Sequence, residues 1–152
     1  MDLSIRLNQF SPELVEYGER LTSDERSLIA RLIAKWACST SHSEDYLNDD
    51  IQSYFETGKL ISIPERRELE KTIQYIDNKY FDILEDGGHI DVKKKAMYWF
   101  QKARSLNSVM YAIDSKNLDS FYDCLYEALA ATNDVKKIKE ICYLTVERLK
   151  NR

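Results

Sequence analysis

Four glycines and two prolines in 152 residues leave little material for turns. A chain built from strands needs a turn signal about every 8 to 12 residues, and this sequence cannot supply that many. It supplies instead apolar residues three and four apart over long stretches, the period of a helix with one face on a core. Leu69, Ile73, Ile76, Tyr80, Ile83 and Leu84 form one such stripe; Ala96, Trp99, Phe100, Ala103, Leu106, Met110 and Ile113 form another. The expected fold is therefore all-α, a compact bundle of six or seven mostly antiparallel helices. One domain over residues 1–152 fits, because this length is close to the commonest domain size.

Local signals divide the chain into helices. Ser11-Pro12-Glu13 reads as N-cap, first helical position and dipole-favouring acid, opening a short helix that ends near Leu21. Thr22-Ser23-Asp24-Glu25 reads as a capping box for a second helix that stops before Ser39. Ser43-Glu44-Asp45 predicts the start of a third, with Gly58 as its left-handed C-terminal residue. Leu60 to Ile63 reads as extended ahead of Pro64, which opens a long helix closed by Gly87-Gly88. Asp91 is the expected N-cap of the next helix, which is apolar nearly all round and so is placed at the centre of the bundle. Asn117 is expected to cap another helix, and Asn133 or Asp134 the last. The short links among these final helices imply antiparallel neighbours.

Charge and cysteine content narrow the setting. Net charge is -4, with nine Lys/Arg against fourteen Asp/Glu in residues 1–76 and thirteen against twelve in residues 77–152. That balance disfavours general nucleic-acid binding. The first residues show no secretory pattern, and no apolar run approaches the roughly 18 residues of a membrane span. Cys38, Cys124 and Cys142 are odd in number and set among apolar neighbours, as expected of reduced core thiols in a soluble, cytoplasmic protein.

Motifs that carry chemistry are scarce. Two histidines limit metal and general-base sites; the sequence has no His-Glu-x-x-His, Cys-x-x-Cys, Gly-rich phosphate loop or nucleophile elbow, and no cofactor is implied. The densest polar cluster is Glu85, Asp86, His89 and Asp91 around Gly87-Gly88, oxygen-rich enough to suggest a divalent cation yet explained more simply by a helix end, a solvated turn and a new N-cap. His42, beside Glu44 and Asp45, invites an acid–base role but reads more simply as a loop residue. Ten tyrosines and two tryptophans suit either core edges or a binding groove. Trp36, Tyr98, Trp99, Tyr122 and Tyr126 are the candidate ligand or partner groove. Lys93-Lys94-Lys95 stand at a helix start, where they oppose the dipole, and Lys136, Lys137, Lys139, Arg148, Lys150 and Arg152 form the other basic set.

The window Ile76 to Asp82 resembles Ile113 to Asp119 at an offset of 37 residues, which allows repeat-like stacking in the C-terminal half. Leu125 to Leu129 loosely resembles the second helix of a tetratricopeptide repeat, but the glycines and terminal proline of that family are missing and no family is assigned. The expected function is a non-enzymatic helical interaction module (an adaptor, inhibitor or immunity-like protein) whose partner is another protein or a second copy of itself. The alternatives are a small-molecule binder or enzyme with an interhelical pocket and, third, a nucleic-acid-associated regulator using the lysines.

Overall fold

The computed structural model describes residues 7, 11–87 and 90–151. The described residues hold seven α-helices and no strand: α1 (Pro12–Arg20), α2 (Ser23–Thr40), α3 (Asp49–Thr57), α4 (Ile63–Glu85), α5 (Ile90–Ile113), α6 (Leu118–Thr132) and α7 (Val135–Lys150). A single 3-10 turn, Glu44–Tyr46, interrupts the link between α2 and α3. This is the all-α bundle that the scarcity of turn residues requires.

Most helix ends obey local chemistry. Ser11 Oγ accepts from the Leu14 amide at 3.3 Å, and the Thr22/Glu25 box closes with bonds of 3.1 and 2.8 Å. Gly58 ends α3 at φ 75°, Asn117 caps α6, and Asp134 caps α7, while Asn133 takes the left-handed position that ends α6. Four boundaries depart from expectation. α2 runs on through Ser39 to Thr40. α3 starts not at Ser43 but after Asn48, whose side chain accepts from the Ile51 amide at 2.9 Å. Ile63 is already the first helical residue of α4 because Ser62, one step earlier, supplies the cap. Asp91 lies inside the first turn of α5 rather than at its N-cap. Gly87 follows the end of α4 with φ 124°; Gly88 lies outside the described residues.

The centre of the bundle is α6, not α5. Nine of its fifteen residues are buried, among them Phe121, Tyr122, Cys124, Leu125 and Ala128, and it packs against α1, α2, α5 and α7. The chain reaches this arrangement through small side chains. Ala30, Ala34, Ala37 and Cys38 of α2 and Ala103, Ser105, Ser108 and Ala112 of α5 are all fully buried, which lets the backbones approach. Cys38 Sγ donates to the Ser105 carbonyl at 3.5 Å and Cys124 Sγ to the Ala30 carbonyl at 3.6 Å. Ser43, predicted as a cap, is buried against the same seam, its Oγ 2.8 Å from Ser105 Oγ. Burial pushes the Cys38 and Cys142 thiols up to about 12, and Cys124 well above its ordinary value. All three cysteines are free and buried.

α4 is the exception to this close packing. Contacts run from Arg66–Asp114 (2.5 Å) through Asp77–Arg104 (3.3 Å) to Tyr80–Phe100 (ring centroids 5.6 Å), so α4 lies antiparallel along α5. It makes no other substantial helix contact. After Ile76 no residue of α4 is buried, and before Lys102 the only buried side chain described in α5 is Ala96. The 37-residue resemblance has no counterpart in this layout: its first window lies inside α4, its second across the break between α5 and α6.

Candidate functional site

Toward the α4–α5 connection the two helices keep several large apolar side chains at the surface. Phe81 is 56% exposed, Leu84 43%, Met97 49% and Tyr98 48%. The ring of Phe81 meets Tyr80 edge-on at 5.2 Å, and Tyr80 meets Phe100 at 5.6 Å. Phe100, Met97 and Gln101 then form one wall of a notch of about 490 Å³, closed on the other side by Tyr126, Leu129 and Ala130 of α6 and by Asn133 just after it. An apolar strip therefore continues from the outer hairpin into a notch at its base, with Gln101 and Asn133 as its polar points.

Below the strip the hairpin is clamped to the bundle. Arg104 reaches Asp77 of α4 at 3.3 Å and the buried Glu127 of α6 at 3.2 Å, with its guanidinium 5.7 Å from the Phe100 ring. On the opposite face Lys102 is buried; its ammonium donates to the His42 carbonyl and lies 4.4 Å from the Tyr98 ring centroid and 5.7 Å from that of Tyr46. The left-handed turn at His42, φ 56°, accompanies that carbonyl. These contacts give His42 a structural part through its backbone. They also hold the base of the hairpin in one orientation, as a binding surface on a rigid element requires.

The five aromatic candidates do not share one groove. Tyr126 lines the notch, whereas Tyr122 is buried beneath α1 and donates to the Val15 carbonyl at 2.7 Å. Tyr98 and Trp99 stack edge-on at 5.6 Å, with Tyr98 over Lys102 and Trp99 half-buried against the core. Trp36 belongs to a different, shallower cleft of about 300 Å³ with Ile141 and Leu144 of α7. Sequence reasoning missed Phe81, which falls off the core stripe of α4, and an aromatic residue off such a stripe was the readable signal. In the polar cluster, Glu85, Asp86 and Asp91 are exposed and His89 lies outside the described residues. Among the described residues no group of three or more His, Cys, Asp or Glu is arranged to hold a metal ion. Lys93, Lys94 and Lys95 are exposed at the start of α5.

A second, more polar cleft of about 790 Å³ lies between Tyr54, Leu60 and Ile61 on one side and Asp114, Lys116, Asn117 and Ser120 on the other. The Tyr54 hydroxyl beside it is buried with no hydrogen-bond partner, and burial pushes its pKa far up, keeping it neutral.

No helix among the described residues is long and apolar enough to cross a membrane. No protein-family model matches the sequence, and neither a curated protein nor a solved structure matches the chain.

Proposed function

We propose that the protein is an interaction module that engages another protein chain through the α4–α5 hairpin. The observation that carries this reading is the strip Phe81–Tyr80–Phe100–Met97, exposed at Phe81 and Met97 and half-buried between them, continuous with the notch at Tyr126, on a hairpin whose outer helix packs against a single neighbour. Scattered exposed apolar residues are ordinary, but a contiguous strip with aromatic anchors beside a shaped notch is what partner surfaces share. Charged side chains of both signs flank it, as a polar rim would. This role needs no catalytic group.

The test is affinity capture from the source cell with the wild-type chain and with Met97→Asp and Phe81→Asp. Both positions are half exposed, so the variants should keep their helical circular dichroism. A protein retained by the wild type and lost from both variants supports the reading; a retained set that is the same for all three overturns it. The small-molecule reading has one observation in its favour, the unpartnered Tyr54 hydroxyl beside the larger cleft. Fragment hits by ligand-observed NMR that vanish in Leu60→Asp and persist in Met97→Asp would move the function to that cleft.

A further inference from the structure

We infer that the chain seated on the hairpin is a second copy of the same protein, paired hairpin to hairpin about a two-fold axis; this rests on the interaction reading above. A two-fold interface uses one patch twice, so the patch must complement itself. The hairpin meets that condition in its charges. The end of α4 carries Asp82, Glu85 and Asp86, and the start of α5 carries Lys93, Lys94 and Lys95, all six exposed. None of the six belongs to an ion pair among the described residues. One arm is thus acidic, the other basic, with the apolar strip between them. A two-fold rotation places the acidic arm of each copy against the basic arm of the other and closes strip on strip.

The same arrangement adds to what the isolated chain supplies. Three lysines in the first turns of a helix oppose its dipole, and Asp91 is the acidic residue of that first turn set against them. In the paired state the partner's acidic arm supplies further carboxylates. Residues 77–104 hold five Asp/Glu and six Lys/Arg, whereas residues 1–76 carry a balance of -5. Two copies can therefore approach at the hairpin without the like-charge repulsion they would meet at the acidic N-terminal half. Two hairpins so joined make a four-helix bundle in which α4 gains the second neighbour it lacks in the single chain.

Analytical ultracentrifugation of the full chain, over a concentration series up to about 100 µM, tests this directly. The expected result is a reversible monomer–dimer equilibrium that Met97→Asp and Phe81→Asp each shift to monomer with unchanged helical content. Reversing the basic arm with Lys93→Glu, Lys94→Glu and Lys95→Glu together should weaken the dimer about tenfold or more, and adding Asp82→Lys, Glu85→Lys and Asp86→Lys should restore it. A wild type that stays monomeric overturns the second-copy assignment, as does a dimer indifferent to both strip variants. If the wild type is monomeric yet captures a different protein in a Met97-dependent way, the interaction reading survives and only the identity of the partner falls. If neither self-association nor capture depends on the strip, both fall.

Discussion

Gly18 is the position where α1 comes closest to the central helix, and replacing it with alanine sets two effects of opposite sign against each other. Near the end of a nine-residue helix, alanine in place of glycine favours the helix by at most about 1 kcal/mol. The added methyl would lie 2.7 Å from Tyr122 Cε1 and 3.1 Å from Phe121 Cε1. Neither ring can yield cheaply: both are buried, and Tyr122 is tied by its hydroxyl to the Val15 carbonyl one turn before Gly18. Forcing a methyl into a packed site costs about 1–3 kcal/mol, so packing wins and the net loss should be about 1–2 kcal/mol, or about 4 °C in Tm for a chain of this size. Urea denaturation followed by circular dichroism would measure it, with Gly18→Ala made both in the wild type and in Tyr122→Leu. Once the Tyr122 ring is gone only the milder contact with Phe121, at 3.1 Å, remains, so the cost of the alanine should fall clearly below its value in the wild type. If Gly18→Ala is as stable as the wild type, or its cost is the same in both backgrounds, the close approach of α1 to α6 is not what holds this end of the bundle.

Arg104→Met breaks the link joining Asp77, Glu127 and the base of the hairpin; because Glu127 is buried, the expected loss is about 2–3 kcal/mol by chemical denaturation, and a loss below about 0.5 kcal/mol would place the clamp elsewhere. Tyr54→Phe removes a buried hydroxyl that has no partner, so stability should hold or rise by up to about 1 kcal/mol; a clear loss would reveal a bond to that oxygen. The three thiols have folded pKa values raised by burial, so between the unfolded thiol value, near 8.5, and about pH 12 the unfolded chain binds fewer protons than the folded one. Their contribution is fully present below about pH 8.5 and is lost as pH rises, by about 1.4 kcal/mol per pH unit for each thiol, so denaturation midpoints should fall steadily through that window. The same thiols should resist a thiol-labelling reagent at pH 8 until the protein is unfolded, and rapid labelling of the native chain would contradict their burial.

The helix ends were the most legible part of the fold because capping is a contact between residues three apart. Ser11, the Thr22–Glu25 box, Gly58, Asn117 and Asp134 all act as their local sequence implies. Ser43 shows where such reasoning fails: its neighbours resemble a helix start, but a packing partner 62 residues away claims its hydroxyl. The centrality of α6 was hidden for a related reason. The sequence of α5 is apolar over a longer run, yet before Lys102 the only buried side chain described in it is Ala96, whereas nine of the fifteen residues of α6 are buried, a fact of tertiary packing and not of composition. Tyr122 and Tyr126 sit one turn apart on one helix, but α1 covers only the turn around Tyr122, so one became core and the other surface. Lys102 was invisible as a buried residue because the carbonyl and rings that receive it come from two separate segments of the chain.

The seam of alanine, serine and cysteine between α2, α5 and α6 sets how this protein can change over generations. Such side chains are already near the smallest available, so shortening one leaves almost no void and should be tolerated. Enlarging one meets backbone on the far side, with no neighbouring rotamer free to move aside. The centre of the bundle therefore drifts toward smaller residues easily and toward larger ones hardly at all. On the hairpin, open on its outer side, large side chains can be exchanged without that packing cost, and the limit on change is set by the proposed partner.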